Sequence, residues 1–151
     1  MISYQLSVSA QNQPGALAQL TKVLAQEKIS IRATTITTYG NKGVVNLIVD
    51  DSKQALKALQ KAGMEVSMKD VLAILMDDSP GGLNKFTQLF FENGININDA
   101  YGFVLESHKS AVFVVDVDDI KKAETLVEKN GFKTLDTDAL CAVEPFHYGK
   151  Y

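Results

Sequence analysis

The chain writes one pattern twice. Gln13-Pro14-Gly15-Ala16-Leu17 returns 66 positions later as Ser79-Pro80-Gly81-Gly82-Leu83, and Ile29-Ser30-Ile31 returns at the same offset as Ile95-Asn96-Ile97. Gly63 then returns as Gly131, an offset of 68. A period of this length is too long for a solenoid repeat and suits one small domain. The 151 residues therefore divide into two similar domains, 1–68 and 69–151. A domain of about 70 residues holds a marginal core by itself, so the halves are expected to pack together. Function is to be sought at equivalent points in both.

Periodicity orders the elements. Leu6, Val8 and Ala10 alternate with Ser7 and Ser9, a strand with one buried face. Asn12 to Gly15 breaks it, and Leu17, Leu20, Val23 and Leu24 follow at helical spacing. Ile29 to Thr38 is rich in β-branched residues, the turn Gly40 to Gly43 follows, and Val44 to Val49 is the returning strand. Asp50-Asp51-Ser52 can cap a second helix with Ala55, Leu56, Leu59 and Ala62 on its face, and Gly63 ends it. Met64 to Ser67 is a short last strand. The second half repeats the order: strand Val71 to Met76, helix through Leu83, Phe86, Leu89 and Phe90, hairpin Ile95 to Leu105 with Ala111 to Val117, helix through Ile120, Ala123, Leu126 and Val127, stop at Gly131. Each half is βαββαβ, an α+β ferredoxin-like unit whose antiparallel sheet carries both helices on one face. Only Met68-Lys69-Asp70 separates the halves, which suggests a fixed relative orientation.

Two features exceed this plan. Thr137 to Val143 echoes Lys69 to Leu75, so a third copy of a first strand, about 139–144, is expected to pair with a sheet edge. The strands are also apolar on the face turned away from the helices, at Val71, Ala73, Leu75, Val112, Val114, Val44 and Ile48. A one-sided antiparallel sheet should be polar there, so something covers it. A second copy of the chain, giving a homodimer, is the first expectation, and the tail Pro145 to Tyr151 is the alternative.

The chemistry points to the two Pro-Gly turns. In each, a helix begins just past Gly15 or Gly81, and free backbone N–H groups there suit a carboxylate. Three residues before each glycine stands Asn12 or Asp78. Asp78 can pair with an ammonium, and a carboxylate receiver beside an ammonium receiver describes a pocket for a free α-amino acid. The bland alternative is that Asn12 and Asp78 brace turns, as these residue types often do.

The βαββαβ order, the polar-x-Pro-Gly-x-Leu turn, the Ile-x-Ile start of the second strand and the tandem arrangement resemble ACT domains, regulatory modules of aspartokinases, phosphoglycerate dehydrogenases and other amino-acid enzymes. The resemblance covers roughly residues 3–68 and 70–144. It implies that an amino acid binds between two ACT units, held by the turn of one and the second-strand opening of another. By position the ligand-binding candidates are Asn12, Gly15, Ala16 and Leu17 with Ser30 and Ile31, and Asp78, Ser79, Gly81, Gly82 and Leu83 with Asn96 and Ile97. Ile29 and Ile95 open the same strands. Serine-binding members carry Asn in both turn and strand. Here Asn12 stands with Ser30 and Asp78 with Asn96, so serine is not implied. The second half is the more site-like. The resemblance further implies a sensor that signals through its assembly, or through a partner enzyme or regulator, without a catalytic domain of its own.

Other classes fit less well. His108 and His147 lack ligand-spaced partners, so no catalytic or metal constellation is expected. Asp116 to Asp119 lacks the Gly and Glu of a calcium loop and precedes a helix. No phosphate or dinucleotide fingerprint suggests a cofactor. An RNA-recognition module shares the strand order, but its stacking aromatics are missing from Lys42 to Leu47, and Phe113 is sent to the core. A net charge of −3 and a pI near 5.3 argue against nucleic acid. A ligand-free oligomerisation or interaction module remains the alternative to a sensor. Cys141, the one cysteine, sits in an apolar run and reads as a buried small hydrophobe; nothing points to secretion or a membrane span, so a cytoplasmic location is expected. Tyr101 and Phe103 lie beyond Asn96, where they admit a bulky ligand side chain or serve as core, and Arg32 faces an acidic ligand or solvent. The identity of the amino acid is not written in these residues.

Overall fold

The computed structural model describes residues 1–142. The chain divides into two compact units: an N-terminal unit, Tyr4–Lys69, and a C-terminal unit formed by Met1–Ser3 and the chain from Asp70 on.

The N-terminal unit contains β1 (Ser3–Gln11), α1 (Ala16–Gln26), β2 (Ile31–Tyr39), β3 (Lys42–Val49), α2 (Ser52–Lys61) and the start of β4 (Glu65–Asp77). Its antiparallel sheet runs β2-β3-β1-β4. Leu6 and Val8 of β1 stand beside Leu47 and Val45 of β3. These side chains share a core with Leu20 and Leu24 of α1 and Ala55 and Leu59 of α2. The helices form because their apolar residues recur at three- and four-residue spacing and meet this one face. Asp51 caps α2 by accepting from the Gln54 N–H at 3.1 Å. Gly63, at φ +83°, turns the chain out of α2.

The C-terminal unit repeats the plan with the rest of β4, α3 (Gly82–Glu92), β5 (Ile97–Glu106), β6 (Ser110–Val117), α4 (Ile120–Lys129), β7 (Thr134–Leu135) and α5 (Thr137–Ala142). Here the order is β7-β4-β6-β5. Leu72 and Ile74 pair with Val115 and Phe113 and meet Phe86, Phe90, Ala123 and Val127 from the helices. The Phe113 ring lies 5.6 Å from that of Phe86, so it is a core side chain and no stacking platform. The chain is therefore α+β, with two βαββαβ units in tandem.

Four expectations need correction. The expected strands 64–67 and 71–76 are one strand, Glu65–Asp77. This stretch holds neither Pro nor Gly, so nothing interrupts its extended backbone. The expected strand at 139–144 is helical over its described part, as α5. Asp136 caps that helix: its Oδ1 accepts from the Ala139 N–H at 2.7 Å and its carbonyl from the Leu140 N–H at 2.8 Å. The cap outweighs the apolar echo, and residues 143–144 lie outside the described ones. The strand that pairs with β4 is instead β7, with Leu135 opposite Ala73. Third, most of the apolar face away from the helices is buried in the single chain, with Leu75 and Val44 left half-buried. Val71, Ala73, Val112 and Ile48 are 0% exposed and Val114 1%. Covering these residues therefore does not require a second copy. The proposed cover of 145–151 falls outside the described residues. Finally, Cys141 is half-buried rather than fully enclosed.

Candidate functional site

Each Pro-Gly turn ends in a glycine at positive φ, Gly15 at +90° and Gly81 at +86°, and each glycine is the N-cap of the helix that follows. That left-handed conformation is open to glycine at low cost. The two turns share a further property. Neither α1 nor α3 has a side-chain cap, whereas α2 and α4 are capped by Asp51 and Asp119. The first helical N–H is used locally, from Ala16 to Gln13 O at 3.3 Å and from Gly82 to Ser79 O at 2.9 Å. The next two, on Leu17 and Ala18 and on Leu83 and Asn84, have no acceptor among the described residues. Two N–H groups are thus presented at each turn, at the positive end of a helix dipole. Leu17 and Leu83 leave their side chains 40% exposed beside them.

The polar residues before the glycines brace the neighbouring hairpins. Asn12 donates from Nδ2 to Gly40 O at 2.9 Å and from its N–H to Asn41 O at 2.9 Å. In the other unit Asp78 Oδ2 accepts from the His108 N–H at 2.7 Å, and the Asp78 N–H donates to Lys109 O at 3.1 Å. Both side chains do the same structural work. They differ in what remains: Asp78 Oδ1 has no hydrogen-bond partner among the described residues.

The strand openings lie elsewhere. Ser30 is tied to Asp50, its N–H donating to Asp50 Oδ1 at 3.0 Å and its carbonyl accepting from the Asp50 N–H at 3.2 Å. Asn96 donates to Asn98 Oδ1 at 3.0 Å, and Asn98 to Asp118 Oδ1 at 2.8 Å. Ile31 and Ile97 point into their cores. Ser30 thus sits where β2 begins and β3 ends. Asn12 sits where β2 ends and β3 begins. A strand of nine residues separates them, about 25–30 Å. The same holds for Asn96 and Asp78 along β5. Turn and opening do not meet within a unit.

What each turn does meet is a cleft. In the N-terminal unit a cavity of 360 Å³ is lined by Ser9, Gln11, Gly15, Ala16, Gln19 and Met64, among others. The C-terminal unit has a cavity of 360 Å³ lined by Leu75, Asp77, Gly82, Lys85, Phe132 and Lys133, among others. Under the repeat, Ser9, Gln11, Ala16, Gln19 and Met64 become Leu75, Asp77, Gly82, Lys85 and Phe132. One position is therefore hollow in both units. Gln19, Lys85, Met64 and Phe132 escaped the sequence reading, although the offsets of 66 and 68 would have paired them. Lys85 lies 3.6 Å from Asp77, an exposed ion pair. Tyr101, expected as a pocket wall or core residue, stands opposite Val114 and is half-buried. Burial raises its hydroxyl pKa, and the Asp99 carboxylate adds to this. Among the described residues no group of His, Cys, Asp and Glu is placed to hold a metal ion, and no helix is long and apolar enough to cross a membrane.

Known proteins share this architecture. Protein BT0572 from Bacteroides thetaiotaomicron superposes with a TM-score of 0.88 at 28% identity, over 94% of this chain and 97% of its own. The ligand-free regulatory subunit of aspartate kinase from Thermus thermophilus follows with a TM-score of 0.62 at 17% identity, over 87% and 97%. The corresponding subunit from Thermus flavus gives 0.59 at 18%, over 85% and 92%. No curated protein matches the sequence. The family model of the ACT domain pair matches residues 1–143. Turns, strand order and tandem repeat agree with that match, and the chain belongs to the family of ACT domain pairs.

Proposed function

We propose that this chain is a regulatory sensor that binds a free amino acid between an ACT unit of one copy and an ACT unit of another. The observation that carries this reading is the contrast in helix capping. Two helices have aspartate caps, and the two at the Pro-Gly turns present N–H pairs without one. A ligand carboxylate would complete them, and Asp78 Oδ1 would receive the ammonium. Because turn and strand opening stand at opposite ends of a unit, a pocket using both takes its second wall, Asn96 and Ile97 or Ser30 and Ile31, from another unit. A ligand held in this way favours one assembly over others, and a partner enzyme or regulator reads the favoured surface. This works only if the ligand binds the two assemblies with different affinity.

Thermal unfolding with each of the twenty amino acids at millimolar concentration tests the reading. A ligand present at about 100 times its Kd adds about 2.7 kcal/mol, which raises the midpoint by several degrees. One amino acid should give such a rise and lose it in Asp78→Ala. A flat response to all twenty in a folded protein would leave the ligand-free interaction module in its place.

A further inference from the structure

The N-terminal unit is basic. Residues 4–69 carry eight Lys and Arg against four Asp and Glu. Its acids are engaged elsewhere. Asp51 caps α2, Asp50 accepts from the Ser30 N–H, and Glu27 Oε2 accepts from Gln54 Nε2 at 2.9 Å. Glu65 opens β4. Among the described residues the side chains of Lys28, Lys53, Lys57 and Lys61 have neither an ion-pair nor a hydrogen-bond partner.

Three of these lysines form a row. Lys53, Lys57 and Lys61 recur every fourth residue along α2, all exposed. The row is about 12 Å long. Like charges at this spacing weaken a helix, so the row does not serve α2 itself. Nor does the fold require it. The equivalent positions of α4 are Lys121, Thr125 and Lys129, in a helix that also holds Glu124 and Glu128, with Lys121 Nζ 3.7 Å from Glu124. Lys28 is an independent sign. It stands two residues past the end of α1 at φ +56°, where α2, α3 and α4 are followed by Gly63, Gly94 and Gly131 at +83°, +68° and +85°. A left-handed backbone costs a residue with a Cβ free energy that glycine escapes, and the helix dipole returns only part of it to a nearby cation. The hydrogen bond between Glu27 and Gln54 joins the end of α1 to the start of α2, so Lys28 lies at the same end of the unit as Lys53.

We propose that the lysine row of α2, with Lys28, is the docking face for an acidic helical segment of a partner protein. A helix with a carboxylate at every fourth residue repeats its charge at the spacing of the lysines. Complementary charge of this kind steers association and fixes which surfaces meet. The row has no aromatic for base stacking and no arginine, the residue best matched to phosphate; the chain's one arginine, Arg32, is on β2. An extended polyanion, nucleic acid or bilayer, also meets the field of the whole chain, whose net charge is −3. A segment as short as the row meets the lysines alone. The inference stands on charge and backbone geometry, so a flat amino-acid screen would leave it untouched.

Fluorescence anisotropy on the full chain, without any amino acid, tests it. The probe is a labelled alanine-based helical peptide of about 16 residues with Glu at every fourth position. It should bind, its Gln-substituted copy should not, and binding should weaken as salt shortens the screening length from about 10 Å at 0.1 M to about 3 Å at 1 M. Lys53→Gln/Lys57→Gln/Lys61→Gln should lower the affinity about tenfold with circular dichroism unchanged, and Lys121→Gln/Lys129→Gln on α4 should leave it as it was. Lys28→Gly should weaken binding and at the same time raise the thermal midpoint. A Glu peptide that binds no better than its Gln copy, equal losses from the α2 and α4 substitutions, or a Lys28→Gly chain that binds as the wild type does would each overturn the proposal. If heparin or phosphatidylserine vesicles bind through the same lysines and the peptide does not, the row is a polyanion or membrane site and the proposal falls.

Discussion

A methyl group added at Gly82 would collide with the carbonyl oxygen of Asp77. The helix start approaches the strand end this closely only in the C-terminal unit, since the equivalent residue is Ala16. Gly82→Ala is therefore expected to cost about 1–3 kcal/mol, read as a fall in the thermal midpoint. Gly15→Ala meets no atom within 4 Å and would pay only for its positive φ, about 1–2 kcal/mol. A second residue-scale contact titrates. The Met1 ammonium lies 2.7 Å from Glu124, 2.8 Å from Glu128 and 2.8 Å from Thr134 Oγ1. Burial pulls its pKa down, but the hydrogen bonds and charges of the two glutamates prevail and hold it above the ordinary 8.0. A raised folded pKa means that the stabilisation is complete below pH 8 and is lost as pH rises through the folded value. The hydrogen bond from the ammonium, with one from Thr134, lowers the Glu128 pKa from its ordinary 4.5. That contribution is present above pH 4.5 and is lost as pH falls through the lowered value. The midpoint of the wild type should thus fall more steeply as pH rises above 8 than that of Glu124→Gln/Glu128→Gln. Equal slopes would show that the contact contributes nothing to stability.

Among the elements, the four long helices divide by how they begin. Asp51→Ala or Asp119→Ala removes a cap from α2 or α4 and should cost about 1 kcal/mol each, or a few degrees. α1 and α3 have no such residue to lose. This division was visible in part. Asp50-Asp51-Ser52 announces a cap locally, and the Pro-Gly pairs announce turns. The work done by Asn12 and Asp78 was not visible, because their partners, Gly40 and His108, are 28 and 30 residues away. The sequence offered two readings of these residues, ligand receiver or turn brace, and only the pairing of distant hairpins shows that both brace a turn. For α5 the apolar echo of β4 competed with one capping aspartate three residues ahead of Ala139, and the cap prevailed. β5 adds a last case. Gly102 lies opposite Phe113, whose ring would stand 2.6 Å from an added Cβ. Gly102→Ala should displace that ring from Phe86 and lower the midpoint, and near-ultraviolet circular dichroism would follow the loss of aromatic packing.

For the whole molecule, the repeat was the legible part. Two copies of each turn, strand opening and stop glycine confirmed one another, and that redundancy made element order and fold readable without an alignment. The placement of candidate site residues at two ends of each unit was flagged by no residue pattern, although the strand–helix–strand order implies it, since a crossover starts its second strand at the end opposite the turn that closes the first. Nor was the cover over the second sheet face, because an apolar pattern requires burial without naming what provides it. One feature at this scale bears on handling the protein. The contact boundary between Lys69 and Asp70 falls inside β4, a single strand of 13 residues. Tandem domains are usually parted at a loop, by a protease or in the gene, and here the junction offers no loop. Limited digestion should nick hairpins such as Gly40–Asn41 or Ser107–Lys109 before it parts the repeats. A gene cut at the junction would give two halves, each ending in a severed strand, so neither would be a fair stand-in for the unit it encodes.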